Sequence, residues 1–206
     1  AHAFGAPLRD IASWPRFGLV LVFAVLYKLG EAIAGAMANP FFVEAGFTGV
    51  EIASVTKVLG LGATVVGIGA GGVLVARAGA MRALAVGGVL QAATNLLYSW
   101  LALVGHDTRA LAVAVVGDSF MGGVASAAFV AYFSSWCRGP FSATQYALLT
   151  SLMATGRTLF AGGSGWLATQ TDWASFFAWT ALLAVPGLLL LWVVPDPVRA
   201  KPRADA

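Results

Sequence analysis

The chain has 206 residues, of which only 10% are charged and 59% hydrophobic, and its mean hydropathy is +0.84. A soluble domain carries roughly 25% charge, so the composition excludes an ordinary water-soluble fold and describes an integral membrane protein. The formal charge of +3 says little as a total, and the lone Cys137 excludes an intrachain disulfide or a cysteine zinc site.

Residues 1–14 hold Pro7, Arg9 and Asp10 and no apolar stretch, so no cleavable signal peptide is expected there. The chain opens without Met just before its first span, as a segment of something longer would. Apolar runs near the ~20 residues that cross a bilayer then recur six times. The first, 17–39, carries Lys28 and Glu31 and is expected to stop at Asn39-Pro40. The second, 52–76, opens on Thr48-Gly-Val-Glu51, which has the form of a capping box, and carries Lys57. Its Gly67-Ile-Gly-Ala-Gly-Gly72 matches a dinucleotide fingerprint in letters only, because it lies inside a span with Gln91 near the acid position. Close helix packing through Gly60, Gly62, Gly67 and Gly71 is the expectation instead. The third run is 81–104, followed by a solvated loop with His106 and Asp107; the fourth, 110–136, carries Asp118. Arg138-Gly139-Pro140 breaks the chain before the fifth, 142–168, which carries Gln145, Tyr146, Ser151, Thr155 and Arg157. The sixth, 173–194, is expected to kink at Pro186. Trp14, Trp100, Trp136 and Trp173 fall near span ends, as interfacial anchors do. These runs are too long and too rich in Gly and Ala for outer-membrane strands, so the expected fold is an all-α integral membrane bundle of six transmembrane helices over 1–206.

Six spans return both ends to one face. That face would hold Arg9, Arg16, Arg77, Arg82, Arg138, Arg199, Lys201 and Arg203 against Arg109 alone on the other, which predicts cytoplasmic termini. At 1.5 Å per residue, Lys28 and Glu31 fall roughly 16 and 21 Å from the cytoplasmic end, Arg157 about 20 Å, and Lys57 and Asp118 roughly 22 and 18 Å. Charge at such depth costs a few kcal/mol or more, so five ionisable groups in one slab predict a polar cavity shared by four helices. Lys28 and Glu31 at i, i+3 can also neutralise each other as a structural pair. Fully ionised, the set has one positive charge in excess, which suits a carboxylate-bearing ligand. His2 and His106 are the only histidines and neither is in a span, so no metal site, cofactor or enzyme chemistry is expected.

Residues 72–82, with Gly72, Arg77, Gly79 and Arg82, resemble the cytoplasmic loop motif of the major facilitator superfamily, with Ala76 where its acid would stand. Residues 127–166, together with Tyr27-Lys28-Leu-Gly-Glu31 and Glu51-Ile-Ala-Ser-Val-Thr-Lys57, resemble the AmpG-type muropeptide permeases within that superfamily. The resemblance implies the C-terminal six-helix half of such a fold, partnered by an N-terminal half of the same parent chain. It further implies proton-coupled import of anhydromuropeptides across the bacterial inner membrane for peptidoglycan recycling. Lys28, Lys57, Gln145 and Arg157 are then the candidate substrate-binding residues, and Glu31 or Asp118 the candidate proton carrier. The competing expectations are an accessory or assembly subunit whose intramembrane charges join helices, and a major facilitator transporter for another anionic solute.

Overall fold

With no water in the bilayer to satisfy backbone groups, apolar runs of this length have to close their hydrogen bonds internally as helices. The computed structural model describes residues 16–137 and 141–197, and among them no strand occurs. Trp14, Arg9, Arg138, Arg199, Lys201 and Arg203 lie outside the described residues. The first span is α1 (Phe17–Glu44). The second is one continuous rod made of α2 (Gly49–Ala53), a π-helical stretch Ser54–Gly60, and α3 (Leu61–Ala78). Then come α4 (Ala80–Val104) and α5 (Thr108–Trp136). The fifth region divides into α6 (Ser142–Ala161) and α7 (Ser164–Gln170), and the sixth into α8 (Trp173–Leu183) and α9 (Val185–Leu190).

Four of these segments are long and apolar enough to cross a membrane: Phe17–Glu44, Gly49–Ala78, Thr108–Trp136 and Trp173–Leu190. The other two expected spans are helical but more polar. Buried Gln91, Thr94 and Asn95 lie on α4, and α6 carries Thr144, Gln145, Thr150, Ser151, Thr155, Arg157 and Thr158.

Two boundaries and one tryptophan depart from the sequence expectation. Asn39-Pro40 does not stop α1, which runs on to Glu44. Pro40 forfeits one backbone bond, but Phe41 and Phe42 just beyond it are almost fully buried against Phe177, Trp173, Tyr98 and Phe47, and this packing holds the last turn. The fifth span is not one helix over 142–168, because the chain turns at Gly162-Gly163. Trp136 is no interfacial anchor: it is completely buried beside Tyr132, whereas Trp100 is exposed as expected. The Pro186 break agrees with expectation, with the proline in the first turn of α9, where its missing N–H costs nothing. The Thr48 capping box also forms: the Thr48 hydroxyl accepts from the Glu51 N–H at 3.3 Å, and the Thr48 N–H donates to Glu51 Oε2 at 2.8 Å.

Helix pairing follows the small residues. A Cβ at Gly67 would lie 2.1 Å from the Phe120 carbonyl oxygen, one at Gly71 2.7 Å from that of Val124, and one at Gly123 2.5 Å from that of Thr64. The rod and α5 therefore touch backbone to backbone, the arrangement small residues permit in lipid. Gly60 takes part more loosely, since a Cβ there would lie 3.1 Å from Ser119 Oγ, but a Cβ at Gly62 would meet nothing within 4 Å, so its expected packing role is not realised. Gly79, at φ +83°, makes the turn from α3 to α4, a left-handed conformation that glycine adopts at no steric cost.

Two apolar clusters occupy the two ends of the bundle. One gathers Val20, Phe23, Tyr27, Leu84, Tyr132, Phe133, Trp136 and Val194; the other gathers Ile33, Phe41, Phe42, Phe47, Tyr98, Leu101, Leu111, Phe176 and Phe177. The start of α1, the end of α5 and the residues after α9 thus share one end, as an even number of crossings requires.

Candidate functional site

Between the two clusters lies a polar layer. On α1 the first cluster ends at Tyr27 and the second begins at Leu29; on α4 they are separated by Gln91, Thr94 and Asn95, and on α5 by Asp118 and Ser126. Lys28 pairs with Glu31 one turn along α1, donates to Ser126 Oγ on α5 at 3.1 Å, and sits 5.8 Å from the centre of the Phe129 ring. The i, i+3 spacing makes the ion pair, and the contact with Ser126 ties it to a second helix.

Asp118 is held differently. Oδ1 accepts from Gln91 Nε2 at 2.8 Å and from Thr94 Oγ1 at 3.0 Å, and Oδ2 accepts from Tyr98 OH at 3.1 Å. The three donors stand at i, i+3 and i+7 on α4 and so form one stripe of that helix. None of them is charged, and among the described residues Asp118 forms no salt bridge.

Two adjoining cavities border this layer. One of about 280 Å³ is lined by Lys28, Glu31, Ser126, Tyr146, Thr150 and Arg157, among others. The other, about 620 Å³, is lined by Glu31, Gly35, Asp118, Arg157, Thr158 and Gly162, among others. Glu31 and Arg157 belong to both walls. The Arg157 side chain makes no hydrogen bond or ion pair among the described residues, so its guanidinium is uncommitted beside two carboxylates.

Two expected site residues stand elsewhere. Lys57 does not join this layer. It lies on the π-helical stretch and lines a separate cavity of about 480 Å³ with Asn39, Thr56, Tyr98 and Ser119, at the level of the second cluster. The 1.5 Å rise per residue put it in one slab with the other charges, but a count of residues fixes no azimuth and assumes an α-helix, whereas Lys57 lies within a π-helical stretch. Gln145 is 1% exposed and lines none of these cavities, while its neighbour Tyr146 does. The sequence reading missed Gln91, Thr94, Tyr98 and Ser126 as partners of the charges; polar residues at i, i+3 and i+7 inside an apolar span were the available signal for the first three.

The loop-motif residues lie at the end of the bundle formed by the first apolar cluster, with Arg77 and Arg82 exposed and Gly79 at the turn. Nothing lies within 4 Å of a Cβ added at Gly72. At the opposite end, Asp107 and Asp172 act as helix caps. The N–H groups of Ala110 and Arg109 hold the Asp107 carboxyl below the usual aspartate range, and the Ser175 N–H does the same for Asp172. His106 approaches Glu51 at 3.4 Å and packs edge-on against Phe47. No group of three or more metal-ligating side chains occurs among the described residues.

No protein-family profile matches the chain. Among curated proteins it is 40% identical over 193 residues to the anhydromuropeptide permease of Escherichia coli K12, an alignment covering 93% of this chain and 39% of that protein. It is 36% identical over 193 residues to the putative transporter AmpG 4 of Rickettsia felis, covering 94% of this chain and 47% of the relative. It is also 33% identical over 181 residues to the putative transporter AmpG 1 of Rickettsia prowazekii, covering 88% and 41%. The chain therefore spans less than half the length of the curated relatives it matches.

Proposed function

We propose that this chain, which resembles the AmpG-type permeases along 93% of its length, is a six-helix half of a secondary transporter that imports anhydromuropeptides with protons. The supporting observation is the convergence of α1, α5 and α6 on two cavities that share Glu31 and Arg157, in the polar layer between two apolar clusters. A helix bundle pays for charge at that depth only where the charge serves a pathway or a pairing. Arg157, uncommitted and able to form a bidentate fork, is suited to a ligand carboxylate; Lys28 is a further cationic contact there, and Lys57 one within its own cavity. Glu31 or Asp118 carries the coupled proton. Lys28 pairs with the Glu31 carboxyl, and three neutral donors hold that of Asp118.

The protein sits in the bacterial inner membrane with both ends of this segment cytoplasmic, in accord with Arg77 and Arg82 at one end of the bundle. A second six-helix half completes the site, since rocking transport operates between two repeats around a central ligand. The Lys28–Glu31 pair favours a second reading, an accessory subunit whose charges join helices.

Glu31→Gln and Asp118→Asn, made in the full gene product, separate the two. Labelled muropeptide should still exchange across vesicles at equal pH in both variants, while one of them loses accumulation driven by a pH gradient. Accumulation at the wild-type level in both would leave the charges as helix joints.

A further inference from the structure

Tyr98 stands where two polar compartments meet. Tyr98 lines the cavity of Lys57, Thr56, Ser119 and Asn39, and its hydroxyl donates to Oδ2 of Asp118 at 3.1 Å. Asp118 lines the other cavity, with Glu31 and Arg157. The two cavities have no lining residue in common, and among the described residues the phenol–carboxylate bond is the side-chain hydrogen bond that joins one lining to the other. The aromatic ring is fixed independently of its hydroxyl, by tilted contacts with Phe42 at 6.0 Å and Phe177 at 5.2 Å. Gln91 and Thr94 bond the other carboxylate oxygen and line neither cavity.

We propose that Tyr98 is a proton relay and seal between the Lys57 cavity and Asp118. This deepens the transport reading and rests on Asp118 as the proton carrier. In the loading step the Tyr98 O–H bond breaks as its proton passes to Oδ2, and a hydronium in the Lys57 cavity gives a proton to the phenol oxygen. Tyr98 ends unchanged, Asp118 ends neutral, and one water is left behind. The release step delivers that proton on the opposite side, toward Glu31 and Arg157. The groups facing the carboxyl from the surrounding helices are Glu31 on α1, Arg157 on α6, and Gln91, Thr94 and Tyr98 on α4. With the hydroxyl in place, ions and ligand are excluded while a proton can hop, because a hydrogen-bonded chain passes a proton without moving a heavy atom.

The test uses right-side-out vesicles carrying the full gene product and labelled anhydromuropeptide. Two quantities are read: accumulation with the outside acidified, and exchange at equal pH. Tyr98→Phe keeps the ring and removes the relay atom, so accumulation should fall about tenfold or more while exchange stays near wild type. Thr94→Val removes a donor from the same carboxylate without touching the Lys57 cavity, so its loss of accumulation should be clearly smaller than that of Tyr98→Phe. Wild-type accumulation in Tyr98→Phe overturns the relay, as does an equal loss in Thr94→Val, which would mean that any donor to Asp118 matters alike. Loss of exchange together with accumulation in Tyr98→Phe also overturns it, by revealing a packing or ligand role. Asp118→Asn distinguishes the levels. If it accumulates normally, the coupling assignment fails and the relay with it; if it loses accumulation while Tyr98→Phe does not, the relay alone fails.

Discussion

Replacing Gly67 by Ala tests the backbone contact that joins the second span to α5. The new Cβ would lie 2.1 Å from the Phe120 carbonyl oxygen, 2.9 Å from its carbonyl carbon and 3.1 Å from its Cα. All three atoms are backbone, so no rotamer change relieves the clash, and the helices must part by about 1 Å or more to restore ordinary contact. Parting them also opens the reciprocal contact at Gly123 and the one at Gly71, because all three lie on one seam. Overpacking of this kind costs about 1 to 3 kcal/mol, from about fivefold to more than a hundredfold in the folded ratio. Gly62→Ala is the control: it lies on the same rod with nothing within 4 Å, and the higher helix propensity of alanine makes it neutral or stabilising by up to ~1 kcal/mol. The assay is unfolding of the purified protein in mixed micelles with increasing SDS, following helicity and tryptophan fluorescence. Gly67→Ala should unfold at a clearly lower SDS fraction than wild type, and Gly62→Ala at the same or a higher one. Equal midpoints for the two variants would refute the close seam.

Arg157→Ala should weaken muropeptide transport strongly with the protein still in the membrane, and Arg157→Lys should restore only part, because a point charge lacks the bidentate fork; unchanged affinity in both Arg157→Ala and Lys57→Ala rules out an anion contact at either. Cysteines introduced at Arg82 and at Gly105 should react with impermeant reagent from the cytoplasmic and periplasmic sides respectively, and periplasmic labelling at Arg82 would invert the orientation. The Asp107 carboxyl is held below its usual range by the Ala110 and Arg109 N–H groups, so its contribution is complete above the unfolded value of about 3.9 and is lost as pH falls through the lower folded value. Wild type should therefore exceed Asp107→Asn in micelle stability at neutral pH, and the gap should close in strong acid; a gap independent of pH would contradict the cap.

Much of this protein was legible from composition and spacing, because a bilayer leaves a chain few choices. Long apolar runs have to be helices, the Thr48–Glu51 spacing carries its own capping geometry, and Pro186 breaks the sixth span wherever it packs. The pairing of Lys28 with Glu31 was equally local, set by an i, i+3 interval. Depth along a helix is likewise a count of residues, which is why Lys28, Glu31, Asp118 and Arg157 were expected together. Azimuth and neighbours are not local. Lys57 was separated from the other charges by a π turn that no residue pattern announces, and Gln145 was buried off the cavity wall that Tyr146 lines. Pro40 was overruled by the burial of Phe41 against α8, more than a hundred residues away, and of Phe42 against Tyr98 on α4. Only the tertiary structure decided that Asp118 would be held by Gln91, Thr94 and Tyr98 of a neighbouring helix rather than by a cation. A hydrogen bond between helices depends on their rotation and register, and in lipid those are set by packing along seams such as Gly67 against Phe120.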